Sequence, residues 1–274
     1  MHGISQATLI GFAVDVGRLC VWLALLAAIF VPLERFFALH PHKVFRKAIW
    51  ADVGYYFLSS LLPGLLLAVP LALLAAGAQR LMPDGVYQAI ATAPLWVRIP
   101  AALVVGEIGA YWGHRWTHEV PFLWRFHEVH HEAEHMDWLV NTRAHPVDMV
   151  FTRLCTLAPL YVFGLGGPAG TGGSLVPAIM VIIGVAWGFF IHANVRWRFG
   201  RAEHVIATPA FHHWHHTLSG PINRNYAPMF PVLDRVFGTL HLPRGEWPGE
   251  YGVLNAEDAA ATKAANAAAR SPAS

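Results

Sequence analysis

Five apolar runs separated by polar segments organise this chain. Ala7 to Leu33 is apolar apart from a few polar positions, chiefly Asp15 and Arg18, and is long enough at 1.5 Å per residue to span about 30 Å of hydrocarbon. Val53 to Ala78 carries no charge. Its Pro63 and Pro70 predict a kink rather than a break, because membrane helices tolerate proline. Leu95 to His118 predicts a third apolar helix, which carries Glu107 and delivers His114 and His118 at its far end. Val147 to Leu165 and Leu175 to His192 predict a second apolar pair, joined by a tight turn in the Gly-rich run Gly164 to Gly173. The pattern therefore predicts an all-α integral membrane bundle of about four to five apolar helices. Residues 1–254 read as one domain, and the Ala-rich tail 255–274 reads as a frayed helix or disorder with no assigned role.

Composition sharpens this picture. Of 274 residues, 55% are hydrophobic and 13% charged, where a soluble domain carries roughly a quarter charged residues, so much of the surface is expected to face lipid. A net charge of +2 gives no argument for nucleic acid, and no nucleic-acid partner is expected. Cys20 and Cys155 each sit in an apolar stretch, which excludes a disulfide framework and points away from thiolate ligation. Met1 to Gln6 lack a basic n-region, so the first apolar run is expected to stay as an anchor. Arg35, Lys43, Arg46 and Lys47 place the loop between the first two runs in the cytoplasm. Alternating from there puts His114 to His131 and Arg196 to His216 on the same side, as a cytoplasmic histidine-rich helical cap on an inner (cytoplasmic) membrane protein.

The chemistry lies in those segments. His-x-x-His-His occurs twice, at His127, His130, His131 and at His212, His215, His216, and His-x-x-x-His occurs at His114 and His118. Residues three and four apart share one face of a helix, so each cluster aims two or three imidazoles at a common point. Thirteen of the seventeen histidines fall between His114 and His216. Burying so many rings requires a partner for each nitrogen, which metal supplies. Eight such nitrogens exceed what one first-row ion can use, so two metals are expected.

These residues resemble the fatty acid hydroxylase and sterol desaturase superfamily of membrane di-iron oxygenases. The resemblance covers roughly Glu107 to Leu242. It is carried by the run Tyr111 to His118, both His-x-x-His-His clusters, Thr208-Pro209, Asn225-Tyr226 and the segment Asp234 to Thr239. It implies that His114, His118, His127, His130, His131, His212, His215 and His216 bind two iron ions, with zinc able to occupy the site in purified protein. It also points to His192, followed closely by Asn194, and to His145 as either a ligand or a support to one. Asn194, Asn225 and Asp234 are implied as groups around the ligands. His135, His204 and His213 match no ligand position. Ala227 stands where relatives carry glycine after Asn-Tyr.

The implied activity is hydroxylation or desaturation of a lipid, whether fatty acyl, sterol or isoprenoid, or ether lipid, with O2 as co-substrate. Of the nearby carboxylates, Glu107 and Asp148 are expected to orient ligand rings, because an unpaired charge at the end of an apolar helix is costly. Trp112, Trp116, Trp138 and Trp214 flank the clusters and are candidates for lining a lipid pocket or forming an interfacial belt. No flavin or haem module is visible, so two electrons must come from a separate electron-transfer protein, for which Arg196, Arg198 and Arg201 offer a basic docking patch. A histidine-rich zinc hydrolase and a metal transporter or sensor are the alternatives. The first needs only three protein ligands, and the second is expected to place its site near the bilayer midplane.

Overall fold

A computed structural model describes residues 5–166 and 175–253. The Ala-rich tail and most of the Gly-rich turn lie outside the described residues. Among the described residues the regular structure is helical, with α1 (Gln6–Phe37), α2 (Ile49–Leu81), α3 (Asp84–Ala91), α4 (Leu95–Glu119), α5 (Pro121–His131), α6 (Pro146–Val162), α7 (Leu175–His192), α8 (Pro209–His215) and α9 (Val232–Val236). Short 3-10 turns occupy Trp138–Thr142 and Gly200–His204. Extended pairing among the described residues is limited to isolated bridges, Ala38 with Val195 and Thr217 with Tyr251.

Among the described residues three helices, α1, α2 and α7, are long and apolar enough to cross a membrane, and α3 with α4, bent by 103°, makes a fourth if the pair is one broken span. α2 runs through Pro63 and Pro70 without a break. Leu9, Phe12, Val21 and Trp22 of α1 and Leu65, Val69 and Leu73 of α2 are exposed, as a lipid-facing surface requires. The expected fourth apolar run is shorter than its pattern: α6 stops at Val162, before Gly164 turns into the left-handed region at φ +74°. At 17 residues α6 is not among the candidate spans, and it packs instead between α2 and α4. The contact with α4 is close because glycine faces it. A Cβ at Gly109 would collide with the Cys155 carbonyl, and one at Gly113 with the Cys155 side chain.

One end of the bundle collects the C-termini of α1, α4 and α7 and the N-termini of α2 and α6. The Asn194 side chain accepts from His40 N and donates to the His40 carbonyl, clipping the end of α7 to that of α1. Glu34 Oε1 accepts from Trp138 N and Asn194 N at 2.8 and 2.9 Å. Asp52, fully buried, pairs with Arg46 and Arg143, and Arg46 also pairs with Asp137, whose carboxylate caps the turn at Leu139 N and Val140 N. Beneath this lattice Phe30, Tyr56, Trp138 and Phe189 form an apolar core. The polar lattice fixes the platform on which α5 and α8 sit.

Candidate metal centre

Each helix that carries histidines starts where its sequence allows. Pro121 and Pro209 occupy the first turns of α5 and α8, where a missing N–H costs nothing, and the Thr208 side chain accepts from Phe211 N. α4, α5, α7 and α8 then converge their rings into two groups. His114, His118, His127, His131 and His215 form one, and His130, His192, His212 and His216 form the other, the candidate ligand atoms of each group lying within 4.8 Å of one another. His127, His130, His131, His192, His212, His215 and His216 are buried, and His114 and His118 are half-buried. The groups adjoin: the rings of His131 and His216 stack at 4.3 Å, and those of His215 and His216 lie 5.2 Å apart. The i, i+3, i+4 spacing is divided between the groups, so that α5 gives His127 and His131 to one and His130 to the other.

Hydrogen bonds fix which nitrogen is free in six of the nine rings. His114 Nδ1 donates to the Tyr226 carbonyl at 2.7 Å, His215 Nδ1 to the Arg224 carbonyl at 2.8 Å, and His127 Nδ1 to Asp148 at 3.0 Å. His118 Nδ1 meets the Asn223 side-chain oxygen at 3.1 Å. In the second group, His130 Nδ1 donates to the Arg143 carbonyl and His192 Nδ1 to the Gly188 carbonyl. A carbonyl can only accept, so each of these rings carries its proton on Nδ1 and offers a lone pair at Nε2. The Nε2 atoms of His118, His127, His131 and His215 are buried without any hydrogen-bond partner. In the second group Nε2 of His192 stands 3.2 Å from that of His130 and 3.0 Å from that of His212, which is 3.1 Å from that of His216. Convergent, buried, unprotonated nitrogens are the donor set that first-row metal ions take.

Burial keeps these rings neutral. It pushes His130 down to about 4, and it holds His127, His131, His212, His215 and His216 well below the ordinary imidazole range, with repulsion between neighbouring rings adding to the effect.

The structure places the other residues singled out by sequence as follows. His145 is in neither group; its Nδ1 accepts from Val147 N as the N-cap of α6, and its ring packs on Phe126 at 4.8 Å. Of Glu107, Asp148, Asn194, Asn225 and Asp234, Asp148 alone bonds a clustered ring. Glu107 instead accepts from Met229 N and Phe230 N at 2.7 Å each, and Asp234 from Tyr226 N, Ala227 N and Thr239 Oγ1. Asn225 donates to the Phe211 and His241 carbonyls and accepts from His241 N. These groups shape the 223–230 loop, which carries the acceptors for His114, His118 and His215. Ala227 fits there without positive φ, whereas Asn223 and Asn225 stand at φ 60° and 59°.

The four tryptophans do not share one lining. Trp112 packs on Tyr111 and Phe237, Trp116 lies half-exposed beside Trp112, Trp138 is in the Phe30 core, and Trp214 lies against His241. His213 is fully buried, meeting the Ala193 carbonyl and the Tyr251 hydroxyl. Sequence reasoning missed Glu34, Asp52, Asp137 and Arg143, whose only signal was charge at the edges of apolar runs, and Asn223, which stands in a loop without periodicity. Of the basic patch, Arg198 is spent on Glu203 through both carboxylate oxygens at 3.0 Å.

Comparison with known proteins now bears on this geometry. The fatty acid hydroxylase family model matches residues 99–239, just over half the chain and the stretch that holds every clustered histidine. Ornithine lipid hydroxylase OlsE of Rhizobium tropici is 34% identical over 152 residues, which are 55% of this chain and 44% of that protein. Alkylglycerol monooxygenase of Homo sapiens is 29% identical over 150 residues, 53% of this chain and 31% of the relative. Methylsterol monooxygenase 2-2 of Arabidopsis thaliana is 27% identical over 153 residues, 53% of this chain and 54% of the relative. The matches thus span about a third to a half of these relatives' lengths. No solved structure matches the chain. With its paired histidine groups set at one end of an apolar helical bundle, the chain belongs to the fatty acid hydroxylase family.

Proposed function

We propose that this protein is a membrane-bound di-iron oxygenase that hydroxylates a lipid, using O2 and two electrons from a separate electron-transfer protein, with its site on the cytoplasmic side of the inner membrane. The observation that carries the reading is the pair of adjoining groups of five and four neutral imidazoles, with buried Nε2 atoms that no protein hydrogen answers. Relatives named as a hydroxylase and as monooxygenases favour insertion of oxygen over desaturation.

His114, His118, His127, His131 and His215 would hold one ion and His130, His192, His212 and His216 the other. An iron pair supplies the reduction of O2 by which one oxygen atom enters a C–H bond as hydroxyl and the other leaves as water, two electrons and two protons being consumed. The chain's part is positional. Carbonyls of Arg143, Gly188, Arg224 and Tyr226 hold the ring planes, and Asp148 holds His127. An all-imidazole shell leaves the ions' charge uncompensated, which favours anionic oxygen ligands. A zinc hydrolase would need three protein ligands and an open position, which nine clustered histidines exceed.

The test compares total lipids of cells expressing the native chain and His131→Ala under oxygen. A mass gain of one oxygen in a single lipid class, present only with the native chain, is the expected result. Identical profiles at equal expression would overturn the proposal.

A further inference from the structure

Beyond α7 the chain runs along the end of α1. Arg196 N donates to the Phe37 carbonyl at 2.9 Å, Leu39 N donates to the Asn194 carbonyl, and Val195 bridges Ala38. Residues 195–205 therefore lie level with the ends of two helices apolar enough to cross a membrane, the depth at which headgroups meet hydrocarbon. Trp197 packs on Phe37 with ring centroids 5.2 Å apart, and Phe36 and Val205 stand out into the surroundings at 73% and 67% exposure. A soluble surface rarely gathers such a set; an interfacial one does.

At this depth a cavity of about 430 Å³ opens between the Gly200–His204 turn and the 242–245 stretch. Arg198 and Glu203 on its wall neutralise each other, and two of the three other Arg198 N–H groups donate to the Glu246 and Pro243 carbonyls. Arg201 and Arg244 line the same cavity with no carboxylate or hydrogen-bond partner among the described residues. His204, also on the wall, has a buried Nδ1 without a partner. Two unspent guanidiniums facing one concavity are matched by an anion with two or more acceptor oxygens. Leu242 lines the cavity and also packs against the Tyr111, Phe211 and Tyr226 cluster beside the histidine groups, so apolar contact continues from the charged mouth toward them.

We infer that this cavity holds the anionic headgroup, phosphate or carboxylate, of a membrane lipid. The inference names a headgroup class for the proposed lipid reaction, and it rests on the membrane placement in that reading rather than on its oxygen chemistry. The exposed apolar side chains Phe36 and Val205 near the same end of the bundle favour a lipid over a soluble acidic protein.

The full chain in neutral detergent is titrated with phosphatidylglycerol and with phosphatidylcholine, and bound lipid is read by native mass spectrometry. Wild type is expected to retain phosphatidylglycerol in preference by about 10-fold, the scale of one charge-assisted hydrogen bond. The double variant Arg201→Gln/Arg244→Gln is expected to lose the preference, each single variant to lose part of it, and Arg235→Gln, an exposed arginine elsewhere, to keep it. Equal retention of both lipids by wild type, or an undiminished preference in the double and single variants, overturns the inference, whether or not an acidic protein then binds these arginines. Displacement by an equal concentration of inorganic phosphate overturns the lipid assignment in favour of a free-anion site. Metal content in the double variant is expected to equal wild type, so failure here is distinguishable from failure of the histidine-site proposal.

Discussion

His130 and His192 face each other Nε2 to Nε2 at 3.2 Å while each gives its Nδ1 hydrogen to a backbone carbonyl, of Arg143 at 2.9 Å and of Gly188 at 2.7 Å. Two lone pairs at that distance repel unless a cation stands between them. The arrangement therefore suits two ligands to one cation, as proposed above, better than a histidine hydrogen bond. Purified protein is expected to carry about two first-row metal ions per chain, and His192→Ala about one, because the five-histidine group keeps all its members. Elemental analysis of both proteins checks this, and equal metal content in the two would contradict it.

Among the described residues Asp148 is the one carboxylate that holds a clustered ring, at 3.0 Å from His127 Nδ1. Asp148→Asn keeps the volume and removes the charge that strengthens the imidazole as a ligand. Metal affinity is expected to fall by about 10- to 100-fold with the helical circular dichroism unchanged. Competition with a chromophoric chelator reads the difference.

Asp52 carries two arginines in a buried place, Arg46 at 2.6 Å and Arg143 at 2.7 Å. Asp52→Asn leaves the buried Arg143 without its carboxylate and Arg46 with Asp137 alone, at a cost of about 3–5 kcal/mol. The melting temperature in detergent should drop sharply. Because the Arg143 carbonyl holds His130, metal is expected to leave the four-histidine group before the five-histidine group as the protein is warmed.

The approach of α4 to α6 depends on hydrogen at Gly109, where a methyl group would meet the Cys155 backbone carbonyl. Backbone cannot swing aside as a side chain can. Gly109→Ala is expected to destabilise by about 1–3 kcal/mol, whereas Gly64→Ala, with nothing near its Cβ position, is expected to be neutral or slightly stabilising. Thermal melts of the two variants decide it.

Acid should weaken the metal-stripped protein. Burial holds His130 near 4 in the folded state against about 6.5 for an exposed imidazole, so below pH 6.5 the unfolded chain binds more protons than the folded one. Stability contributed by the neutral buried ring is complete above that value and is lost as pH falls toward 4. The other depressed histidines act in the same direction. Melting temperatures of the stripped protein between pH 8 and 5 should decline only below about 6.5.

Much of the site was legible because histidine spacing on a helix is local information. The His-x-x-His-His pattern on α5 guarantees that three rings leave one side of the helix, whatever the rest of the chain does. The long charge-free run that became α2 is legible for the same reason, since mean apolarity over a bilayer's thickness needs no partner to be recognised. Val147 to Leu165 was less secure. A 17-residue helix packed between two others and a spanning helix share the same composition, and only the turn at Gly164 and the glycine-lined contact with α4 separate them.

The sequence by itself determined that the chain is helical and apolar and that its imidazoles come in clusters with the spacing of metal ligands. Tertiary structure alone decided how those rings are shared out, His127 and His131 to one group and His130 to the other, and which nitrogen each presents. It also decided that His145 caps a helix while Asp148 reaches a ring. The physical reason is range: periodicity along one helix fixes the direction a side chain leaves it, and His192 even finds its acceptor one turn back at Gly188, but the acceptors for His114 and His118 come from Tyr226 and Asn223, more than 100 residues away and brought near only by packing.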